Sequence, residues 1–235
     1  MEHQTDVHQA ARIARRWPVV SASVAVAVVI VLGALIAFRP TEPFAIDREW
    51  MGEIVEHRSP LWLVPALTFN NIGGGILGSV IIPLLIVLVL LAFRRPWGAL
   101  YFAIASIASV TLVQVIKHTV GRARPSEILV QSDTGSFPSG HTANAATMIV
   151  VLSILFPRVW VWIAGVLYAV LMALSRTYLG AHWLSDTIGG LILGAGVAVI
   201  VWAPLAYRLA REKTVPHPFV LRRGPATPAG PPPAS

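Results

Sequence analysis

Apolar residues along the chain fall into long uninterrupted blocks, with polar residues gathered between them rather than alternating within them. Val19 to Phe38 carries no charged side chain. A spanning helix needs ~20 apolar residues and a signal-peptide core about 7–15, so this block reads as a retained first span. Leu61 to Phe93 is longer than one ordinary span and is interrupted by Asn70, Asn71, Gly73, Gly74 and Gly75. The pattern splits there into a re-entrant or interfacial piece, Leu61 to Phe69, and a second span, Ile76 to Phe93. Further spans are predicted over Trp97 to Ile116, Ser139 to Phe156, Val159 to Leu174 and Leu184 to Tyr207. Arg39 to Ser59 is polar and mixed in charge, but Phe44, Ile46, Trp50, Met51, Ile54 and Val55 recur at roughly helical spacing. That is the pattern of an interfacial amphipathic helix, which Pro60 ends. The expected fold is all-α: a polytopic membrane helical bundle with six transmembrane helices and a short interfacial helical region.

Composition agrees. Charged residues make up 12% of the 235, with 55% hydrophobic and a mean hydropathy of +0.69, against about 25% charged in a soluble domain. The formal net charge of +7 would point a soluble protein towards nucleic acid. Here the cations flank apolar blocks, which speaks for topology signals and a bilayer partner instead of nucleic acid. The absence of cysteine excludes disulfides, thiolate catalysis and Cys-type zinc sites.

Arg12, Arg15, Arg16, Arg94, Arg95, Arg158, Arg208, Arg211 and Lys213 fall on one side of a six-span layout, and the acidic stretch near Asp47 on the other. The positive-inside rule then makes both termini cytoplasmic. Residues 1–17 form a cytoplasmic segment, 18–213 the six-span domain, and 214–235 a Pro-, Ala- and Gly-rich tail that reads as disordered. Gly190 and Gly194 form a small-xxx-small pair that lets a neighbouring helix approach closely. The loops Lys117 to His141 and Ser175 to His182 share the extracytoplasmic face. Their basic residues run against the topology rule, so they serve something other than orientation.

Lys117, Arg124 and Arg176 would repel one another unless an anion sat among them. Arginine offers a planar fork that matches phosphate oxygens, and lysine a point charge. The turn Phe137-Pro138-Ser139-Gly140-His141 opens the fourth span. A helix start offers free N–H groups and the positive dipole end; Ser139 is placed to cap it, and Gly140 lets a ligand come close to the backbone. His182 and Asp186 lie on one face if a helix starts near His182. A carboxylate on one ring nitrogen fixes the tautomer and leaves the other nitrogen free to attack. Two histidines divide the work: His182 as nucleophile towards phosphorus, His141 as the acid that protonates the leaving group. Arg122 is left without a role.

Two rival chemistries fit less well. His118, His141, His182 and Asp186 offer metal ligands, but the three cations would surround the metal with like charge. Ser139, His141 and Asp186 offer hydrolase residues, but Ser139 and His141 do not face each other on a helix and no G-x-S-x-G elbow is present.

These residues resemble the three signatures of the type 2 phosphatidic acid phosphatase superfamily. Lys117, Arg124 and Pro125 match K-x6-R-P, and Pro138 to His141 match P-S-G-H. Ser175, Arg176, His182 and Asp186 match S-R-x5-H-x3-D. The resemblance covers Lys117 to Asp186 directly, and the span layout resembles the membrane branch. It implies cofactor-free, metal-independent hydrolysis of a lipid phosphomonoester or diphosphate through a phosphohistidine. His182 would be the nucleophile, Asp186 its orienting partner and His141 the acid. Lys117, Arg124, Ser139, Gly140, Arg176 and Ser175 would line the phosphate site. Vanadate-dependent haloperoxidases share the motifs but are large and soluble, unlike this chain. Small members of the family imply a bacterial inner-membrane protein. Its substrate would be undecaprenyl or another polyprenyl diphosphate, a phosphatidic acid type lipid, or phosphatidylglycerophosphate. A non-catalytic phospholipid-binding or transport protein with the same cationic pocket is the alternative; intact His141, His182 and Asp186 argue against it.

Overall fold

Large apolar side chains point outward along most of the long helices, among them Ile107 at 67% exposed, Ile163 at 63% and Leu167 at 56%. In water this would be an unstable surface; in a bilayer it is the solvated one. The structure is a computed structural model that describes residues 2–38, 43–131 and 135–212, and of residues 2–15 the helical backbone alone. The tail at 214–235, Lys213, and the side chains of Arg12 and Arg15 lie outside the described residues.

The helices are α1 (Glu2–Ala37), α2 (Ala45–Glu56), α3 (Pro60–Gly73), α4 (Ile82–Ala92), α5 (Pro96–Val120), α6 (Gly140–Leu155), α7 (Val159–Tyr178) and α8 (Leu184–Glu212), with a π-helical turn at Leu77–Ile81 leading into α4. The chain is thus an all-helical integral membrane protein. Among the described residues four helices are long and apolar enough to span a bilayer: α1 from Arg16, α5, α7 and α8. A fifth span results if α3 and the Leu77–Ala92 segment count together, bent by 48° at the break between them. The break falls at the glycines the sequence marked. Helix α6 has only 16 residues against the ~20 of an ordinary span. The described residues thus show up to five full-length spans and one shorter apolar helix, and the expected count of six full-length spans is not confirmed. Helix α6 is packed against α5, α7 and α8, so much of its surface meets protein instead of lipid.

Close approach of α6 and α8 rests on the two expected glycines. A Cβ on Gly194 would come within 2.9 Å of Thr147 Oγ1 and 2.8 Å of the Ala143 carbonyl carbon. The Thr147 hydroxyl lies 3.0 Å from Ser109 Oγ and 3.2 Å from the Gly194 carbonyl oxygen, tying α5, α6 and α8 together. The Tyr101 hydroxyl on α5 donates to the Ala198 carbonyl on α8 at 2.9 Å. Interhelical bonds of this kind, worth about 0.6 to 2 kcal/mol each in membranes, join the three helices.

The bundle has two unlike ends. At one, the Glu212 carboxylate accepts the Trp97 and Gly98 N–H groups at 2.7 and 3.0 Å, so the end of α8 caps the start of α5. Arg95 donates to the Leu155 carbonyl at 3.1 Å, closing the end of α6. At the other end, the C-termini of α5 and α7 meet the N-termini of α6 and α8, and α2 lies against this junction. Helix α2 is not a purely interfacial element. It buries Asp47 and Met51, leaves Ile46 58% exposed, and is tied down where Ser59 and Arg58 bond to Tyr178.

Candidate active site

Four helix ends deliver the site. Helix α5 stops at Gly121, whose φ of 60° is left-handed and whose N–H donates to the Lys117 carbonyl at 3.0 Å. Glycine adopts that conformation without strain. The stop leaves Lys117 buried in the last turn. Helix α6 begins just after the cis Phe137–Pro138 bond. Arg176 lies in the last turn of α7 and Asp186 in the first turn of α8.

Between these ends lies a cavity of about 610 Å³, lined by Lys117, Gly140, His141, Arg176 and His182 together with Asn70, Gln114 and Asn144. Arg124 joins from the loop, its Nη1 3.4 Å from His182 Nε2, while it donates to the carbonyls of Ala181 at 2.5 Å and Gly135 at 2.9 Å. Ser139 is fully buried but does not cap α6: its Oγ makes no cap bond and has no hydrogen-bond partner among the described residues. Its backbone carries the junction instead, with its N–H donating to the Asp186 carbonyl at 3.0 Å. Ser175 is not part of the cavity lining. One residue away from Arg176 is about 100° round a helix, and there its hydroxyl donates to the Ala66 carbonyl of α3 at 2.7 Å.

His182 is 1% exposed. Its Nδ1 lies 2.8 Å from the Ser136 carbonyl oxygen, which only accepts. Nδ1 therefore carries the hydrogen, and in the neutral ring Nε2 holds the lone pair. Asp186 Oδ2 stands 3.7 Å from Nδ1, beyond hydrogen-bonding distance but within strong Coulomb reach. This corrects the expectation that Asp186 holds the ring directly. Burial pushes the imidazole down to about 4, against the pull of Asp186 and with the push of Arg176 and Arg124. The ring is thus neutral at pH 7.

His141 sits across the same cavity, Nε2 3.3 Å from the Asn70 carbonyl oxygen. That partner also only accepts, so His141 carries its hydrogen on Nε2. The Asn70 side-chain oxygen accepts from Arg176 Nη1. Asn70, in the last turn of α3, thus supplies an oxygen to each of two site residues. The break that follows comes close to His141 because it is glycine: a Cβ on Gly74 would stand 2.7 Å from His141 Cε1.

Asp186 is fully buried, as is Asp47 on α2. Arg122 lies between them, Nη1 2.5 Å from Asp186 Oδ1 and Nη2 2.7 Å from Asp47 Oδ2. Asp186 Oδ2 also accepts from Ser136 Oγ at 2.5 Å and from the Trp183 N–H at 2.9 Å. Sequence reasoning missed Arg122, Asp47, Ser136 and Asn70. The signal open to it was an aspartate sharing the buried helical face of Met51 on α2 (i, i+4), which calls for a cation. Among the described residues no three His, Asp or Glu side chains cluster as a metal centre requires.

Fold and site together define an integral membrane protein whose helical bundle closes on a buried cationic pocket holding two histidines with opposite hydrogen-bonding roles. The profile of the PAP2 superfamily matches residues 98–209, and the chain belongs to that superfamily. It is 32% identical over 148 residues to phosphatidylglycerophosphatase B of Bacillus subtilis, covering 57% of this chain and 70% of that protein. It is 33% identical over 119 residues to an undecaprenyl-diphosphatase of Sulfolobus acidocaldarius, covering 47% of this chain and 57% of that protein's length. The crystal structure of a transmembrane PAP2 type phosphatidylglycerolphosphate phosphatase from Bacillus subtilis superposes with a TM-score of 0.64 at 26% identity, covering 75% of this chain and 93% of that one.

Proposed function

We propose that the chain is a membrane lipid-phosphate phosphatase that works through a phosphohistidine on His182 without a metal ion. The observation that carries this reading is the pairing across one cavity. His182 presents an Nε2 lone pair, His141 an Nε2–H, and Lys117 and Arg176 line the space between.

Nε2 of His182 attacks phosphorus, and the bond to the leaving oxygen breaks. That oxygen takes the Nε2 proton of His141, which enters the step as the imidazolium, with a hydrogen on each nitrogen, and leaves it neutral. Water then attacks the phosphohistidine, giving up a proton to the neutral His141 and releasing phosphate from His182. Lys117, Arg124 and Arg176 hold the equatorial oxygens as charge moves towards the leaving group. Gly140 lines the cavity at the start of α6, where a helix N-terminus favours an anion; Ser139, one residue earlier and not itself a lining residue, has a buried hydroxyl without a partner among the described residues, which a phosphate oxygen would satisfy. Ser175 acts one step back, holding α7 against α3.

A pocket at the end of a membrane bundle admits a lipid sideways, with the tail left in the bilayer. Polyprenyl diphosphate ranks first as substrate and phosphatidic acid type glycerolipids, phosphatidylglycerophosphate included, second; the names of the two relatives span these chemistries. Residues 18–213 form the phosphatase domain. Arg94, Arg95, Arg158, Arg208 and Arg211 gather at the end opposite the pocket, which supports an extracytoplasmic site and cytoplasmic termini in a bacterial inner membrane.

The test is phosphate release in excess chelator from polyprenyl diphosphate, phosphatidic acid and phosphatidylglycerophosphate, compared by kcat/KM. Turnover that His182→Ala abolishes, with an acid-labile phosphoenzyme trapped in the wild type, is the expected result. Activity lost to chelator and restored by a divalent cation overturns the metal-free mechanism. Binding of these lipids without turnover of any overturns the enzyme reading in favour of a binding or transport protein.

A further inference from the structure

Four cations approach His182 in this fold, and one of them faces the other way. Lys117 on α5 and Arg176 on α7 line the cavity, and Arg124 touches the ring from the loop. Arg122 instead points at two carboxylates: Asp186 on α8 and Asp47 on α2. Asp47 is bound on both oxygens, Oδ1 by the Ser185 N–H at 2.8 Å and Oδ2 by the Ser185 hydroxyl at 2.7 Å. That hydroxyl also takes a bond from Arg122 Nη1 at 2.7 Å. Asp47 lies outside the matched family segment of residues 98–209.

The charge count decides what this arrangement does. Two buried carboxylates around one guanidinium leave a net negative charge next to His182. With Arg122 and Asp186 alone, the pair would be neutral, and His182 would feel only Arg124, Arg176 and Lys117. A ring that becomes positively charged as it takes up the phosphoryl group needs the opposite.

We propose that Asp47 and Arg122 are positioning residues for the phosphoryl-transfer site. Asp47 engages one side of the Arg122 guanidinium, so that Asp186 is held rigidly yet keeps its negative charge directed at His182. The proposal rests on the phosphatase reading above, and it makes α2 part of the site: only when α2 is docked does the cluster have its negative charge.

His182 is faced by Asp186 from α8, Arg176 from α7, His141 from α6, Lys117 from α5 and Arg124 from the loop. Only the first is negative, so a change in the field of Asp186 is not masked by another acid. Neutralising Asp47 lets Arg122 cancel Asp186, disfavours the imidazolium and makes the ring a weaker base.

The experiment compares wild type, Asp47→Asn and Asp47→Asn/Arg122→Gln in detergent micelles, with a melting curve for each. Readouts are kcat, KM and the pH profile on whichever lipid phosphate the wild type turns over. For Asp47→Asn the expected result is a kcat loss of about tenfold or more, within the range known for small misplacements at an active site. KM stays near wild type because the cavity-lining cations are untouched, and the acid limb of kcat/KM moves to lower pH. The double variant, which restores a net negative charge without the ion pair to α2, recovers kcat relative to Asp47→Asn. The proposal is overturned if Asp47→Asn lowers the melting temperature while kcat per folded protein and the acid limb stay put. It is equally overturned if the double variant is no more active than the single one. Should Asp47→Asn not fold, the double variant against Arg122→Gln alone decides: equal kcat and acid limb in the two overturn the proposal, and a higher kcat in Arg122→Gln, with its extra negative charge, upholds it. Wild-type turnover in the same assay separates these outcomes from failure of the phosphatase reading, which would show as no turnover in any form and takes this proposal with it.

Discussion

The Nδ1–H of His182 donates to the carbonyl oxygen of Ser136 at 2.8 Å, and Asp186 Oδ2 stands 3.7 Å from the same nitrogen. Tautomer and electrostatics are therefore set by different groups. Asp186→Asn is expected to keep the tautomer but lose the field, lowering kcat on the order of 10²–10³-fold, as removal of one preorganised electrostatic group does. Ser136→Ala keeps the carbonyl and removes only the hydroxyl bond to the charged Asp186, worth ~1.5–3 kcal/mol, so an upper bound of roughly ten- to a hundredfold in kcat and a smaller loss than in Asp186→Asn. Steady-state kinetics check the order of the two effects. Imidazole nitrogen chemical shifts in Asp186→Asn check the tautomer.

The pH profile follows from burial. The nucleophilic form of His182 is the neutral ring, and burial lowers its titration from 6.5 to about 4. The acid limb of kcat/KM, corrected for ionisation of the phosphate itself, is expected near pH 4. A limb at about 6.5, the value of an exposed histidine, would contradict this. The sign for stability follows by linkage. Above about 6.5 the ring is neutral folded and unfolded and contributes nothing; as pH falls towards 4 the unfolded chain takes up the proton first, so stability declines across that window. Thermal melts across the same range measure it.

Asn70 offers a neutral oxygen to Arg176. Asn70→Asp replaces it with a carboxylate that competes with phosphate for the same guanidinium. A hydrogen bond to a charged group is worth ~1.5–3 kcal/mol, so KM is expected to rise roughly tenfold or more. Inhibition by orthovanadate weakens in parallel, and both are read from one titration series.

Glu212 is the control at the far end. Its carboxylate caps the α5 amides of Trp97 and Gly98, and a lost cap costs ~0.5–2 kcal/mol. Glu212→Ala is expected to lower the melting temperature and leave kcat/KM unchanged.

Much of this was legible in the chain because membrane helices announce themselves by composition. Uncharged blocks near twenty residues long have few other uses, and the Asn70–Gly75 interruption and the Gly190/Gly194 pair mark a break and a close contact through local chemistry. The cations Lys117, Arg124 and Arg176 and the two histidines were legible as a group because each sits next to a helix end, where a charged side chain in a membrane protein calls for a partner.

What the tertiary structure decided are the pairings between segments far apart in sequence. Ser175 turns to α3 because of its angle on α7, and Ser139 leaves α6 without a side-chain cap while its backbone N–H binds the Asp186 carbonyl. Helix α2, amphipathic by pattern, docked through a buried aspartate that hydropathy counts as surface. Local spacing puts His182 and Asp186 on one side of a helix start. It does not specify that Ser136 takes the ring hydrogen, or that Arg122 divides its charge between carboxylates 75 and 64 residues away. Periodicity reports which side of a helix is buried; only the packed bundle determines what each buried polar group meets.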